Sequence, residues 1–393
     1  MYSAANKKRN TPTGTMPLEA SSSHSATTTQ LTRRQEPANG LHPLTAAQLD
    51  GCKAALAPHW SHYSSRDGPV MLSYATSVPS GWMLGLSAAV HGLPIVLAGL
   101  NQPRWPWWHG GRKKLPGSRR ALQIIEAIGG PDRPVISSDT GDLLIGNSLT
   151  PEHMATLADL RKSQRMLVAA ECNSWPVCYR DKYLMDPGHQ HCLQHYDACY
   201  PNSGVLLASA RTLLQFYSAW AAEIVGSSSL NKAERWNDQA AVHRLYRNRT
   251  SIASAGHFSM EVDAAAQFSL QLWKCDGPKD HGNGKHFRYC HERRNEPATG
   301  LKTAEDGGGV IYTNHRGAVQ KPFLIHSNGY HRVLKANETH LHALLERYHP
   351  DRVPSALYNH PVILVDTREY GDCTVASLGW LLNRTAHQQD SSK

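Results

Sequence analysis

Pro134-Val-Ile-Ser-Ser-Asp-Thr-Gly-Asp142 joins a short apolar run to a turn that carries two carboxylates. An apolar, β-branched run closed by small polar residues reads as a buried strand. Gly141 between the acids eases the bend. At the mouth of such a strand, Asp139 and Asp142 can converge on one hard divalent cation and on the phosphates of a nucleotide. Asp and Gly are also common turn residues, so Asp139-Thr-Gly-Asp142 takes its meaning from the elements around it.

Those elements alternate. Pro69-Val-Met-Leu-Ser-Tyr-Ala-Thr76 reads as a strand that ends in small polar residues, Trp82 to His91 as a helix, and Leu93-Pro-Ile-Val-Leu-Ala-Gly-Leu100 as a second strand. Ser118 to Ile128 reads as a helix with Leu122, Ile125 and Ile128 on one face, before the strand at Val135-Ile136. Strand and helix in alternation predict an α/β fold with a mostly parallel central sheet and ligands at the strands' carboxyl ends. Neither GxGxxG nor GxxxxGK[ST] follows any of these strands, which disfavours a dinucleotide fold and a P-loop enzyme. Further on, Glu152 to Arg161, Arg211 to Val225 and Asp238 to Tyr246 read as helices, and Met166 to Ala170 and Gly204 to Ala208 as strands. Residues 275–322 read as loop before the strand Pro322-Phe-Leu-Ile-His326.

The chain of 393 residues, 40% hydrophobic, is long enough for a full core and is neither fibrous nor a coiled coil. Its net charge of +9 suits an anionic partner: nucleic acid, an acidic membrane or a phosphorylated substrate. Eight cysteines without a CxxC pair argue against a zinc ribbon, while the spacing of Cys172, Cys178, Cys192 and Cys199 leaves local disulfides open. There is no signal-peptide core and no apolar run of about 18 residues, so no membrane span is expected and the location is cytoplasmic by default. Residues 1–66, rich in Ser, Thr and basic side chains, are expected to be a disordered tail, with a short helix near Leu44 to Ala57 leading into the fold. The folded domain is expected over 67–345, with a carboxyl-terminal extension over 346–393.

Several residues outside the opening turn could carry chemistry. His326 ends an apolar strand, and with Asp139 and Asp142 it would complete an oxygen-rich set with one imidazole, which suits Mn²⁺ better than zinc. Asn237-Asp238-Gln239 stands at a helix start, where capping is the ordinary use. Asn101 to Leu115 reads as a basic loop in which Arg112, Lys113 and Lys114 offer charge to phosphates and Trp105, Trp107 or Trp108 offers a flat face to a base. The same combination holds single-stranded nucleic acid, so a nucleic-acid-binding protein is the alternative reading.

Taken in order, these segments resemble the glycosyltransferase domain of the procollagen-lysine dioxygenase (collagen lysyl hydroxylase) family. The resemblance runs from Val70 to Gly329. It rests on Ala75-Thr76, the Trp and Gly-Gly-x-Lys loop within Leu97 to Lys114, Asp139 and Asp142, and Ala170-Glu171-Cys172 with Trp175-Pro176. It continues through Asn202-Ser203-Gly204, Asp238-Gln239 and Ile325-His-x-Asn-Gly329. It implies a GT-A fold that binds UDP-glucose or UDP-galactose through Mn²⁺ held by Asp139, Asp142 and His326. Thr76, Trp105, Lys113, Lys114, Asp139 and Asn202 would contact the nucleotide, and Trp175, Asp238 and Asn328 would serve the sugar and the acceptor. That acceptor would be a protein hydroxyl, such as hydroxylysine of a collagen-like protein. The chain departs from the family in its Arg-Lys-Lys run, in Asn173-Ser174 between Cys172 and Trp175, and in lacking an iron-dependent hydroxylase. A His-x-Asp triplet, His195-Tyr-Asp197, falls inside the transferase region.

Overall fold

The structure is a computed structural model. It describes residues 44–59, 68–75, 78–100, 111–141, 143–171, 183, 186–196, 198–226, 230, 232–272, 301–305, 308–314, 317–327, 338–349, 352–367 and 371–383. All of these lie in one unit, Asn39–Lys393. The first half of the fold runs α1 (Ala46–Leu56), β1 (Val70–Tyr74), α2 (Val78–Val90), β2 (Ile95–Ala98), α3 (Gly111–Gly129), β3 (Pro134–Ser138), β4 (Leu143–Ile145), α4 (Pro151–Lys162), β5 (Arg165–Glu171) and α5 (Pro187–His195). It continues through β6 (Tyr200–Ser209), α6 (Ala210–Gly226), α7 (Lys232–Arg235), α8 (Asp238–Arg247), α9 (Arg249–Ser254), β7 (Ser259–Asp263) and β8 (Ser269–Gln271). The last elements are β9 (Leu301–Thr303), β10 (Val310–Thr313), β11 (Val319–Gln320), β12 (Leu324–His326), α10 (Glu338–Arg347), β13 (Pro361–Thr367) and β14 (Gly371–Ser377).

Eight strands form the central sheet in the order β14-β13-β2-β1-β3-β6-β5-β7. The pairs β13/β2, β2/β1, β1/β3 and β5/β7 are parallel, while β14/β13, β3/β6 and β6/β5 are antiparallel. The fold is therefore mixed α/β with a mostly parallel central sheet, as the alternation of elements predicts. Two small sheets, β11-β10-β9 and β4-β12-β8, complete it.

Side chains alternate across a strand, and the apolar runs of this sheet feed a core on each face. Met71, Ile95, Leu97, Ile136, Val362 and Leu364 enter one core, with Leu86 of α2, Leu157 of α4 and Leu344 of α10. Val70, Leu72, Val96, Val135, Ile363 and Val365 enter the other, with Leu122 of α3, Phe216 and Trp220 of α6 and Leu245 of α8. A strand apolar on both faces must be covered on both, which is why helices sandwich the sheet. Each fully buried branched or aromatic side chain contributes roughly 1.5–3 kcal/mol.

Three local features differ from the sequence reading. Helix α3 begins at Gly111, ahead of the expected Ser118, and carries Pro116 inside it, so Arg112 to Lys114 form its first turn. Residues 301–320, expected as loop, contribute three short antiparallel strands. Pro361–Thr367 forms a strand of the main sheet in parallel register with β2, although it lies within the span expected as a carboxyl-terminal extension. Among the described residues no helix is long and apolar enough to cross a membrane.

Candidate active site

Sheet direction decides which residues can meet. Because β1, β2, β3 and β13 run parallel, their carboxyl ends share one edge, and β3 delivers Asp139 there. Strand β6 runs the other way, so its start, with Asn202 and Ser203, reaches the same edge. Strand β5 reverses again and ends there with Glu171. An irregularity in the β5/β6 ladder sits at this edge: Val168 pairs with Leu206 but Ala169 with Asn202. A bulge of this kind re-aims side chains and frees backbone groups. The freed Gly204 carbonyl accepts from Asp139 N–H at 2.9 Å.

Helix α3 brings a cation to this edge. Gly111 N–H donates to the Trp236 carbonyl at 2.9 Å. A side chain at position 111 would place its Cβ 2.3 Å from that oxygen and 2.7 Å from the Trp220 ring, so only glycine permits the approach. The Arg112 guanidinium lies over the Trp236 ring, 5.1 Å from its centroid. One turn on, Lys114 Nζ donates to Asp139 Oδ1 at 2.8 Å and to Asp238 Oδ2 at the amino terminus of α8. Asn237 caps α8 by accepting from Ala240 N–H, and Asp238 Oδ1 accepts from Gln239 N–H at 2.9 Å.

The ammonium is largely enclosed, with 11% of its side chain exposed, against 37% for Asp139 and 26% for Asp238. Burial pulls the Lys114 pKa down, but the charges of Asp139 and Asp238 overcome it and hold it well above the ordinary lysine value. Burial likewise pushes Asp238 up, and the Lys114 charge and hydrogen bond outweigh it, keeping the carboxyl below its ordinary value. The site thus holds a fixed cation between the carboxyl groups of Asp139 and Asp238.

His326 approaches Asp139 from the small sheet. In the β12/β8 and β12/β4 registers it stands opposite Gln271 and Leu143, the residue that follows Asp142 in sequence. Its Nε2 is 4.0 Å from Asp139 Oδ2, and its Nδ1 is 2.5 Å from Gln271 Nε2. With that amide nitrogen facing it, Nδ1 accepts and Nε2 carries the hydrogen. Turning the amide over reverses both roles and points an Nε2 lone pair toward Asp139. The Gln271 Oε1 atom is buried without a hydrogen-bond partner among the described residues. The imidazole packs so closely on Gly204 that a Cβ there would sit 1.9 Å from His326 Cε1.

Beneath these groups lies a buried polar network. Glu171 accepts from Asn202 Nδ2 at 3.1 Å and from Gln239 Nε2 at 2.5 Å. Asn202 Oδ1 takes Gly204 N–H at 2.7 Å, and Gln239 Oε1 takes Ser203 N–H at 2.6 Å. Gln239 also reaches His243, whose Nδ1 lies 2.6 Å from the Tyr183 hydroxyl. Burial pushes the Glu171 carboxyl up to about 8, against the pull of the Asn202 hydrogen bond. Asp263, at the end of β7, binds the backbone N–H groups of Gln267, Phe268 and Ser269 and so shapes the turn into β8.

Of the residues singled out in the sequence, the structure brings together Lys114, Asp139, Asp238 and His326. Asn202 lies beside them but is 4% exposed, with both ends of its amide engaged inside the protein. Thr76, Trp105, Asp142, Trp175 and Asn328 lie outside the described residues, as does the side chain of Lys113. Among the described residues no group of three His, Cys, Asp or Glu side chains is placed to hold a metal ion. Sequence reasoning gave no role to Glu171, Gln271 or Asp263. Glu171 and Asp263 were open to the rule applied to Asp139, an acid closing an apolar strand. Gln271 carries no such signal, since its role arises from register with His326.

No protein-family model matches the chain, and no curated protein matches it. Among solved structures it is similar to mouse xyloside xylosyltransferase 1 in its apo form, at 14% identity over 58% of this chain and 99% of that one, with a TM-score of 0.30. It is also similar to the apo WbbM bifunctional glycosyltransferase, at 11% identity over 67% of this chain and 46% of that one, with a TM-score of 0.32. The chain thus spans about half of the WbbM chain. At such distances the chemistry is read from the site itself.

Proposed function

We propose that this protein is a GT-A-type glycosyltransferase that moves glucose or galactose from a UDP-sugar to a hydroxyl, with Mn²⁺ as its metal. One observation carries the reading. Lys114, Asp139, Asp238 and His326 come from four separate segments and meet at the carboxyl edge of the sheet, the edge where open α/β sheets bind ligands.

The described donors fit a divalent cation in part. Asp139 and His326, whose Oδ2 and Nε2 are 4.0 Å apart, are the described residues that would hold it. The ion needs the Gln271 orientation that frees Nε2, and Asp142 is proposed as the third ligand. Held by these residues, the ion would supply positive charge to the diphosphate leaving group.

The chain's own residues supply the rest. Lys114 already has a place between two carboxylates, so its ammonium is preorganised and needs little rearrangement to face a phosphate oxygen. Asp238, ionised and anchored by Lys114 and Gln239 N–H, orients a sugar or acceptor hydroxyl. Asn202, Gln239 and neutral Glu171 hold the Ser203-Gly204 backbone on which Asp139 and His326 rest. Thr76, Trp105 and Lys113 are proposed on the nucleotide side, and Trp175 and Asn328 on the acceptor side. The acceptor proposed from the sequence resemblance is hydroxylysine in a collagen-like protein.

Thermal unfolding with UDP, UDP-glucose and UDP-galactose, each with and without Mn²⁺, tests the reading, because a ligand that binds only the folded state raises the midpoint. A metal-dependent rise with UDP and one sugar donor is expected. No rise with any of them overturns the donor site.

A further inference from the structure

Helix α1 and edge strand β14 come from opposite ends of the folded unit, and a pair of thiols lies between them. Cys52 of α1 is 2% exposed within the core that also receives Leu56 and Val365, and Cys373 of β14 packs against that core from a half-buried position. One turn before Cys52, Gln48 Nε2 donates to Asp372 Oδ2 at 2.8 Å. Helix and strand are therefore already in register through neighbouring residues. Cys52 lies in the core against which Cys373 packs, so the two thiols share one environment. Their mutual interaction draws the Cys52 pKa below the ordinary thiol value and pushes Cys373 above it. Elsewhere the same chain already carries a disulfide, Cys192–Cys199, which joins the last turn of α5 to the segment before β6.

We propose that Cys52 and Cys373 form a second disulfide, one that ties α1 to the edge of the central sheet. Both are free thiols in the structure, so the bond requires an oxidant, and a small-molecule disulfide such as oxidised glutathione serves. The half-buried Cys373 loses its proton and attacks one glutathione sulfur; the glutathione S–S bond breaks, the departing thiolate takes up that proton, and a mixed disulfide remains. Cys52 then gives up its proton as its sulfur attacks the Cys373 sulfur, the mixed disulfide breaks, and the second glutathione leaves as a thiol carrying that proton. Two thiols and one disulfide enter; one disulfide and two thiols leave.

The cross-link closes a loop from residue 52 to residue 373, most of the folded chain, and long loops lose the most unfolded-state freedom when closed. It also fixes α1 over β14, which among the described strands has a neighbour on one side only. Unpartnered strand edges are sites of unwanted pairing, and a covering element fixed in place protects them.

The test is peptide mapping of the full chain. The native protein is incubated with oxidised glutathione, remaining thiols are alkylated under denaturing conditions, and the chain is digested without reduction. The expected product is a linked Cys52–Cys373 peptide that separates on reduction. As a second measure, wild type so treated should unfold at a higher temperature than Cys373→Ser treated identically, which keeps Cys192–Cys199 but cannot form the cross-link. Recovery of Cys52 and Cys373 as alkylated thiols, as stable glutathione adducts or in links to other cysteines overturns the proposal.

Discussion

Lys114 and Asp139 are 25 residues apart in sequence, yet Nζ donates to Oδ1 at 2.8 Å, and the same ammonium holds Asp238 on its other side. Lys114 is thus the common counter-ion of two carboxylates that would otherwise repel. Replacing it by Met removes the cation and leaves two acids facing each other in partial burial. Breaking a buried pair in this way costs about 3–5 kcal/mol; the partial exposure of Asp139 argues for the lower end. Urea unfolding should register that loss in Lys114→Met, and adding Asp238→Asn should recover part of it. UDP-sugar turnover should not recover in the double variant. Wild-type turnover in Lys114→Met would remove the ammonium from the mechanism.

Glu171 gives the protein a pH dependence of defined sign. Its folded pKa is about 8 against an ordinary 4.5, so between those values the folded chain holds a proton that the unfolded chain has lost. The stabilising contribution is complete below the unfolded pKa and is lost as pH rises through the folded one, at most roughly 1.4 kcal/mol per pH unit. Glu171→Gln resembles the protonated acid and cannot ionise. Between pH 5 and 8, its unfolding free energy should fall less steeply than wild type's, and the two curves should diverge in its favour toward pH 8. Parallel curves would mean that Glu171 is ionised in the fold.

How much of this was legible in the sequence depended on whether a residue's role is set locally. Strands β1, β2 and β3 were legible because each is a short apolar run, and Asp139 was legible as the acid closing one of them. The start of α3 was not. Three basic residues followed by Leu-Pro-Gly look like a loop, and Pro116 inside the helix removes a hydrogen bond. Those residues are held as helix by contacts distant in sequence: Gly111 on Trp236, Arg112 over the Trp236 ring and Lys114 between two carboxylates. Asn202 was noticed from its Asn-Ser-Gly setting, but its bonds to Glu171 and Gly204 depend on the bulge in β6, which no local pattern announces.

Gly111 tests that long-range argument directly. In Gly111→Ala the new Cβ would meet the Trp236 carbonyl at 2.3 Å and the Trp220 ring at 2.7 Å, so the first turn of α3 must lift away and carry Lys114 from Asp238. Overpacking of this kind costs about 1–3 kcal/mol. Gly51→Ala, in α1 with nothing within 4 Å of the new Cβ, is the control and should be neutral or slightly stabilising. Urea midpoints and UDP-sugar turnover of the two variants should separate. Equal behaviour would show that the docking of α3 on Trp236 is not what places Lys114.

Gly204 sets the position of His326 by lacking a side chain. A Cβ there would lie 1.9 Å from His326 Cε1, 2.5 Å from Nδ1 and 2.8 Å from Asn202 Oδ1. The imidazole is 1% exposed, and close-packed interiors yield little room for a displaced ring. Gly204→Ala should therefore move His326 off Asp139 and lower stability together. Adding His326→Ala gives the methyl group room, so the double variant should regain melting temperature relative to Gly204→Ala alone. It should not regain the rise in melting temperature that Mn²⁺ and UDP are expected to produce in wild type, since the imidazole is gone. Recovery of that rise in the double variant would show that His326 does not hold the metal, and would leave the ligand set to the carboxylates.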